Sequence, residues 1–181
     1  MVGQFEIPQH VTAAAFAAAI ELGATTVLNP APAATIEPEL LSSATWLIPN
    51  ESEFAVLASD SPLTSSTAPL TDAALVAFAS RLHAQSARTR LLVTLGAAGV
   101  ALVAPDGKTV QRIAAPRTDD VVDTTGAGDA FIGAFAHGIA EGLSEVDAIN
   151  LGMACASDSV RREGSQSSFP TRSRCEALGI L

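Results

Sequence analysis

The sequence predicts an α/β fold in which helices flank a mainly parallel sheet. Short runs of apolar and β-branched residues alternate with longer helical segments along most of the chain, which is the pattern of strand–helix–strand units. Later, the strand-like runs Val100–Val103 and Val110–Ile113 flank Pro105-Asp106-Gly107-Lys108, which predicts one antiparallel hairpin. Hydrophobic residues make up 48% of the 181 residues and charged residues 16%, which is a globular composition.

Three short strands and two helices are predicted before residue 60. The first helix ends just before Gly23, because glycine readily adopts the left-handed conformation at a helix C-terminus. The first strand has no preceding turn, so we expect further strands of the same domain to lie upstream of this sequence. The elements are a strand over 1–5, a helix over 12–22, strands over 25–28 and 44–48, and a helix over 51–58.

The next segment, residues 60–66, is rich in Ser, Thr and Pro and predicts a surface loop. Thr71 and Ser144 are predicted helix N-caps, because their hydroxyls can accept hydrogen bonds from amides of the first turn. Asp147 stands three residues after Ser144, as in a capping box. The remaining elements are a helix to about residue 85, a strand over 91–94 and a last long helix to about residue 161.

Charge and cysteine content exclude several classes of protein. The net charge of −9 and the pI near 4.6 argue against nucleic acid or an anionic membrane as a partner. The apolar run 11–20 is too short and too Ala-rich to span a bilayer, and no signal peptide is evident. Cys155 and Cys175 fit neither a metal-ligand spacing nor a disulfide framework, which indicates a reducing compartment. We therefore expect a cytoplasmic protein.

The most informative segment is the run DTTGAGDAF at residues 123–131, a Gly-rich turn directly before an amphipathic helix. Amides at a helix start lack intrahelical acceptors, so Gly126, Ala127 and Gly128 can hold a phosphate or an oxyanion. Asp129 lies in the same turn, where its carboxylate can take a proton from a substrate hydroxyl. Together these groups favour phosphoryl transfer to an alcohol. The alternative is a tight turn in which Asp129 only complements the helix dipole.

This nine-residue run resembles the C-terminal signature of the ribokinase-like (PfkB) carbohydrate kinases. The resemblance implies that Asp129 is the catalytic base, in contact with the sugar, and that residues 126–128 form the anion hole. It implies ATP-dependent phosphorylation of a primary alcohol of a sugar, above all of D-ribose to D-ribose 5-phosphate with release of ADP. Two alternatives stay open: a related kinase for another sugar or nucleoside, and a catalytically incompetent nucleotide-binding fragment.

Two further segments follow predicted strands. Asn50 and Glu53 can either cap a helix or hold a hydrated Mg²⁺ beside phosphates, and they match the family's Asn-x-x-Glu motif, which supports the metal–nucleotide site. The run TLGAAG at residues 94–99 is either an ordinary turn or, by resemblance, part of the ATP site. To that site the resemblance also assigns Gly128, and Met153 as an apolar neighbour of the adenine. The members of the run are Thr94, Leu95, Gly96, Ala97, Ala98 and Gly99.

The remaining site residues are implied by the resemblance. Glu6 would contact the sugar, or else lie at a solvated strand end, and Asn29 is expected to fix the turn after its strand. A monovalent cation, K⁺, would be bound near the anion hole by a loop that is otherwise a plain exposed loop. Arg162 would contribute only its carbonyl to that ion. The implied ligands are Asp123, Thr125, Ser159, Arg162, Gly164 and Ser168.

The resemblance runs from about residue 3 to residue 170 and leaves out the family's upstream half. In the family, that half supplies the lid over the substrate and most of the sugar site. We therefore expect residues 1–181 to form the single C-terminal, nucleotide-binding portion of a kinase domain. Such a portion would be completed by a separate N-terminal half, or would associate with a second copy as a homodimer.

Overall fold

The computed structural model describes residues 1–59 and 70–180. It consists of two compact units. The first comprises Met1–Leu95 with Val100–Ile113, and the second comprises Gly96–Gly99 with Ala114–Leu181. The predicted Ser/Thr/Pro-rich loop at residues 60–66 lies outside the described residues.

The first unit is built on a six-stranded sheet whose strands are neighbours in the order in which they occur in the sequence. The first four strands are parallel, and the last two form the antiparallel hairpin. The mixed α/β fold with a mainly parallel sheet is therefore confirmed. The strands are β1 (Val2–Gly3), β2 (Val27–Leu28), β3 (Trp46–Leu47), β4 (Arg90–Thr94), β5 (Val100–Val103) and β6 (Val110–Ile113).

The first three strands are shorter than the sequence predicts. Only two residues of each are paired: Val27 lies between Val2 and Trp46, and Leu28 lies between Gly3 and Leu47. Proline follows soon after β2 and β3, and a residue that has no amide proton cannot extend the ladder. The ladders of β2 and β3 therefore end early, although Asn50 after β3 still pairs with Thr94 through an isolated β-bridge.

Four helices belong to the first unit: α1 (Gln9–Glu21), α2 (Pro38–Ser42), α3 (Glu51–Ala58) and α4 (Asp72–Gln85). The bounds of α3 and α4 agree with the prediction, and the Thr71 hydroxyl accepts from the Ala74 amide at 3.2 Å as an N-cap. Helix α1 begins three residues earlier than predicted. Helix α2 was not predicted, although proline at its first position favours a helix start. The core of this unit includes Phe16, Leu28, Leu47, Leu91 and Val93, which are almost completely buried.

The second unit contains helices α5 (Ala127–Ala140), α6 (Glu145–Ser159) and α7 (Arg172–Ala177), together with 3₁₀ turns at Gly96–Ala98 and Gln166–Ser168. Ser144 caps α6 as predicted, and its hydroxyl also donates to the Asp147 carboxylate at 2.6 Å. Helices α5 and α6 approach closely, because a Cβ added to Gly138 or Gly152 would lie about 3 Å from atoms of the other helix. Across residues 1–59 and 70–180, no helix has the length and apolar character needed to cross a bilayer.

Candidate active site

A chain of hydrogen bonds joins the polar residues that follow the first three strands in the first unit. The Gln4 amide donates to Asn29 Oδ1 at 3.1 Å. Asn29 Nδ2 in turn donates to the Ile48 carbonyl at 2.9 Å and to Glu53 Oε2 at 3.3 Å. Asn29 therefore fixes the turn after its strand and links it to the start of α3. Glu6, the predicted sugar contact, is exposed.

Asn50 and Glu53 form a capping box at the start of α3. Asn50 Oδ1 accepts from the Glu53 amide at 2.8 Å, and Glu53 Oε2 accepts from the Asn50 amide at 2.9 Å. Glu53 is buried, and its other oxygen accepts from Asn50 Nδ2 at 2.8 Å. The capping alternative is therefore present in the structure. Binding of a hydrated Mg²⁺ by Asn50 and Glu53 stays a prediction. The two carboxylate oxygens of Glu53 have more lone pairs than these hydrogen bonds use.

Thr94 lies beside Asn50 in this unit. A parallel β-bridge pairs the two residues, and the Thr94 amide donates to the Pro49 carbonyl at 3.0 Å. The ends of β3 and β4 thus bring together two residues that the sequence analysis assigned to the nucleotide. Their separation of more than forty residues in the chain is closed by the parallel register of adjacent strands.

The turn after β4 belongs to the second unit and is a short 3₁₀ helix over Gly96–Ala98. Gly96 and Gly99 have φ values of 54° and 98°, in the left-handed region that favours glycine. The Gly99 amide donates to the Gly96 carbonyl at 3.1 Å, which closes the turn. Gly96, Ala97 and Ala98 are exposed, so the backbone of this turn is accessible to a ligand.

The start of α5 carries the central predicted motif. Gly126 is the N-cap, with a φ of 78°, and its carbonyl accepts from the Ala130 amide at 2.9 Å. The Ala127 amide is engaged with the Thr124 carbonyl at 3.2 Å. Within the described part of the chain, the amides of Gly126 and Gly128 donate to no protein acceptor. Asp129 stands exposed in the same helical turn. The turn therefore offers two open amides and one carboxylate.

The C-terminal loop packs against this turn. A Cβ on Gly126 would lie 3.0 Å from Ser165 Cβ and 3.0 Å from Phe169 Cε1. Asp123 ties the same two segments, because its carboxylate accepts from the Thr125 amide at 2.9 Å and from the Gly164 amide at 3.0 Å. These amide donors hold the pKa of Asp123 below its ordinary value. Three of the predicted cation ligands are thus in one hydrogen-bonded group.

Of the other predicted cation ligands, Ser159 ends α6, while Arg162 and Ser168 lie in the C-terminal loop, and both serine hydroxyls already have partners. The Ser159 hydroxyl donates to the Ala156 carbonyl at 2.8 Å, and the Ser168 hydroxyl donates to the Ser165 carbonyl at 2.7 Å. The Arg162 guanidinium donates to the Ser168 carbonyl at 2.7 Å, a contact that the sequence analysis did not foresee. No group of three or more His, Cys, Asp and Glu side chains in residues 1–59 and 70–180 is arranged to hold a metal ion. A cation at this loop would therefore depend on carbonyl and hydroxyl oxygens.

Helix α6 supplies Met153, which is buried, and Cys155, which contacts Cys175 of α7. The two sulfur atoms lie 3.8 Å apart as free thiols. Both cysteines line a groove of about 380 Å³ that extends along α5 to Asp129. Burial, followed by the neighbouring Cys175, raises the pKa of Cys155 to about 12.

We expect Cys155 to be nearly inert in the folded chain. Raising a thiol pKa from 9.0 to about 12 lowers the thiolate fraction at pH 8 by roughly 10³-fold, and the thiolate is the reactive species. Iodoacetamide labelling at pH 8, followed by peptide mass spectrometry, should therefore modify Cys155 at least about 100-fold more slowly in buffer than in urea. Equal rates in the two conditions would show that the thiol is not buried as the structure has it.

Comparison with known proteins assigns a family to this arrangement. Residues 3–172 match the model of the pfkB family carbohydrate kinases. The chain is 33% identical over 171 residues to a ribokinase of Schizosaccharomyces pombe, and 38% identical over 169 residues to one of Haemophilus influenzae. These alignments cover 94% and 93% of this chain, and 52% of each relative.

Solved structures agree with the sequence comparison. The structure of Arabidopsis thaliana ribokinase complexed with ribose and ATP superposes with a TM-score of 0.85 at 29% identity, over 99% of this chain and 55% of that one. Ribokinase from Cryptococcus neoformans, in complex with ADP, superposes with a TM-score of 0.79 at 32% identity, over 98% of this chain and 60% of that one. The chain thus spans about half the length of the relatives that it matches.

Proposed function

Because the chain belongs to the PfkB family of carbohydrate kinases, we propose that residues 1–181 are the C-terminal, nucleotide-binding portion of an ATP-dependent sugar kinase, a ribokinase. The observation that carries the proposal is the start of α5, where two open amides and the Asp129 carboxylate share one turn. Such a turn combines a proton acceptor with donors for a charged phosphoryl group. The nucleotide complexes of two similar structures support ATP as the phosphoryl donor.

In the proposed reaction, Asp129 takes the proton from the primary hydroxyl of ribose as the oxygen attacks the terminal phosphorus of ATP. The bond between that phosphorus and the bridging oxygen breaks, and ADP leaves. The amides of Gly126 and Gly128 donate to the oxygens of the phosphoryl group in transfer, where negative charge is concentrated. The Ala127 amide stabilises the turn by its bond to Thr124.

The remaining roles are proposed for each unit in turn. In the first unit, Asn50 and Glu53 would orient the waters of a Mg²⁺ ion, which neutralises phosphate charge when bound, while Thr94 contacts the nucleotide and Glu6 the sugar. Leu95 ends the first run of the first unit. In the second unit, the turn Gly96–Gly99, of which Gly96, Ala97 and Ala98 are exposed, would lie along the nucleotide, with Met153 near the base. The oxygens of Asp123, Thr125 and the loop 162–168 are proposed to hold K⁺. The two free cysteines support a cytoplasmic location.

A second candidate, a nucleotide-binding chain that transfers no phosphate, is favoured by one observation: the relatives are about twice as long. Strand β1 is also an edge of the sheet, and its Val2 and the preceding Met1 are 43% and 52% exposed. Exposed edges with apolar side chains favour association. We accordingly propose that the chain pairs there with an N-terminal half of a kinase, or with a second copy.

The two candidates are separated by mixing the purified chain with ATP, Mg²⁺ and a panel of sugars, and by measuring ADP release. We expect weak ATP binding, negligible release by the chain alone, and ribose-dependent release once an N-terminal half of a homologous ribokinase is supplied. Release of ADP with another sugar but not with ribose would change the proposed substrate.

In the mixture completed by an N-terminal half, K⁺ should raise kcat more than Li⁺, because the ion would stabilise the loop beside the anion hole. A kcat that does not change when K⁺ is exchanged for Li⁺ would remove the cation from the proposal.

A further inference from the structure

Asp158 is a buried carboxylate that the proposed reaction does not use. It lies near the end of α6, with only 4% of its side chain exposed, and two guanidinium groups bind it. Arg162 donates to one carboxylate oxygen, and Arg174 of α7 donates to the other from Nη2 at 2.9 Å and from Nε at 3.2 Å. A charged group that is buried to this degree must be paired, and this one is paired twice.

The two arginines connect Asp158 to different segments of the chain. Arg174 belongs to α7, and within the described residues its guanidinium donates to Asp158 alone. Arg162 donates from both Nε and Nη2 to the carbonyl of Ser168, at 3.2 and 2.7 Å. Its guanidinium therefore connects the end of α6 to the 3₁₀ turn at Gln166–Ser168.

That turn is also connected to the start of α5. The amide and hydroxyl of Ser168 both donate to the Ser165 carbonyl, and Ser165 Cβ lies 3.0 Å from the position that a Cβ on Gly126 would take. A continuous set of contacts thus runs from Asp158 through Arg162 and the Ser168–Ser165 turn to Gly126. Its last member offers one of the two open amides of the proposed anion hole.

We propose that Asp158 is a positioning residue that, through Arg162, holds the loop 163–168 against the Gly126 turn and so keeps the amides of Gly126 and Gly128 aimed at the phosphoryl group. This inference rests on the proposed function for its role in transfer, but the positioning itself is a property of the folded chain. Asp158 touches neither nucleotide nor sugar in this assignment. Its effect passes only through the geometry of the loop.

Arg174 provides the matched control. Arg162→Met and Arg174→Met each remove one guanidinium from the same buried carboxylate and leave the other in place. If the cluster only stabilises the fold, the two variants should behave alike. If Asp158 acts through Arg162, only Arg162→Met and Asp158→Asn should loosen the loop and the turn.

The test is hydrogen–deuterium exchange of the full 181-residue chain, read by mass spectrometry on peptides that cover residues 124–130 and 163–169. We expect Asp158→Asn and Arg162→Met to increase exchange in both peptides at least 10-fold, and Arg174→Met to leave both near wild type. Arg162→Lys should restore little, because an ammonium lacks the planar fork that reaches two acceptors. Circular dichroism establishes whether each variant is folded. If Asp158→Asn does not fold, the comparison of Arg162→Met with Arg174→Met still decides between positioning of the loop and general stabilisation of the fold.

Calorimetric titration with ADP and Mg²⁺ gives the functional reading. Where the wild-type chain binds, Asp158→Asn and Arg162→Met should weaken ADP at least 5-fold, and Arg174→Met less than 2-fold. A wild-type chain that binds no ADP would count against the proposed function alone, since the exchange experiment still decides the positioning. Wild-type exchange in Arg162→Met, or an equal increase in Arg174→Met, would overturn the inference.

Discussion

Asp129→Asn is expected to lower the rate of phosphoryl transfer by about 10²–10⁴-fold, the usual contribution of a positioned general base. The asparagine keeps the size of the side chain but cannot accept the proton of the attacking hydroxyl. Nucleotide affinity should stay nearly unchanged, because the proposed phosphate contacts are backbone amides. The measurement is single-turnover transfer to ribose in a preparation completed by an N-terminal half, with the ATP dissociation constant determined separately.

A suitable control for this change is Asp119→Asn, which removes a charge from another exposed aspartate in the same unit. It should transfer phosphate at the wild-type rate. Transfer by Asp129→Asn at that rate would remove Asp129 from the role of base. A parallel loss of ATP affinity would point instead to a structural role for the carboxylate at the start of α5.

Gly126→Ala is expected to damage both stability and nucleotide binding. The residue has a φ of 78°, where an L side chain costs about 1–2 kcal/mol. The added methyl group would also lie 3.1 Å from the Ser165 Cα, a backbone atom that has little freedom to move. We expect the free energy of unfolding, measured in urea, to fall by about 2 kcal/mol or more. The affinity for ADP should also fall, because the turn shifts.

Gly128→Ala tests the same turn with the opposite expectation. A Cβ at this position meets no atom within 4 Å, and Gly128 lies inside α5, where alanine favours the helix by about 1 kcal/mol. The variant should therefore unfold at the same or a higher urea concentration. Equal losses of unfolding free energy in Gly126→Ala and Gly128→Ala would contradict this expectation. They would show that the left-handed conformation of Gly126 and its contact with the C-terminal loop do not distinguish the two glycines.

Local signals account for the parts of the fold that the sequence predicts well. The hairpin of β5 and β6 follows from two strand-like runs and the turn between them, and α3 and α4 follow from polar caps before apolar helices. Helix α2 was missed because its five residues are too few to show a period. The lengths of the two-residue strands were overestimated because apolar side chains stay buried beyond the strand bounds, as at Ile48 after β3.

The candidate site also has parts that the sequence predicts and parts that it does not. The Gly-rich turn and Asp129 are contiguous, so their place at the start of α5 was visible in the sequence. Asp158 was not predicted to have a role: its i, i+4 spacing from Arg162 follows the helical repeat, but the contact of Arg174 with Asp158 spans two elements and 16 residues. The engagement of the Ala127 amide by Thr124 depends on the exact path of the turn, which residue types alone do not specify.

The order of the strands bears on how the sheet is assembled. Each strand pairs with the one before it in the sequence, so no pairing has to wait for a distant segment of chain. Closing the connection between two strands costs conformational entropy, and this cost grows slowly with the length of the connection. Pairing between consecutive strands avoids the longer connections that pairing between non-consecutive strands would have to close. During synthesis on a ribosome, β2 can join β1, and β3 can join β2, before β4 has emerged. The sheet would then grow in one direction, from β1 towards β6.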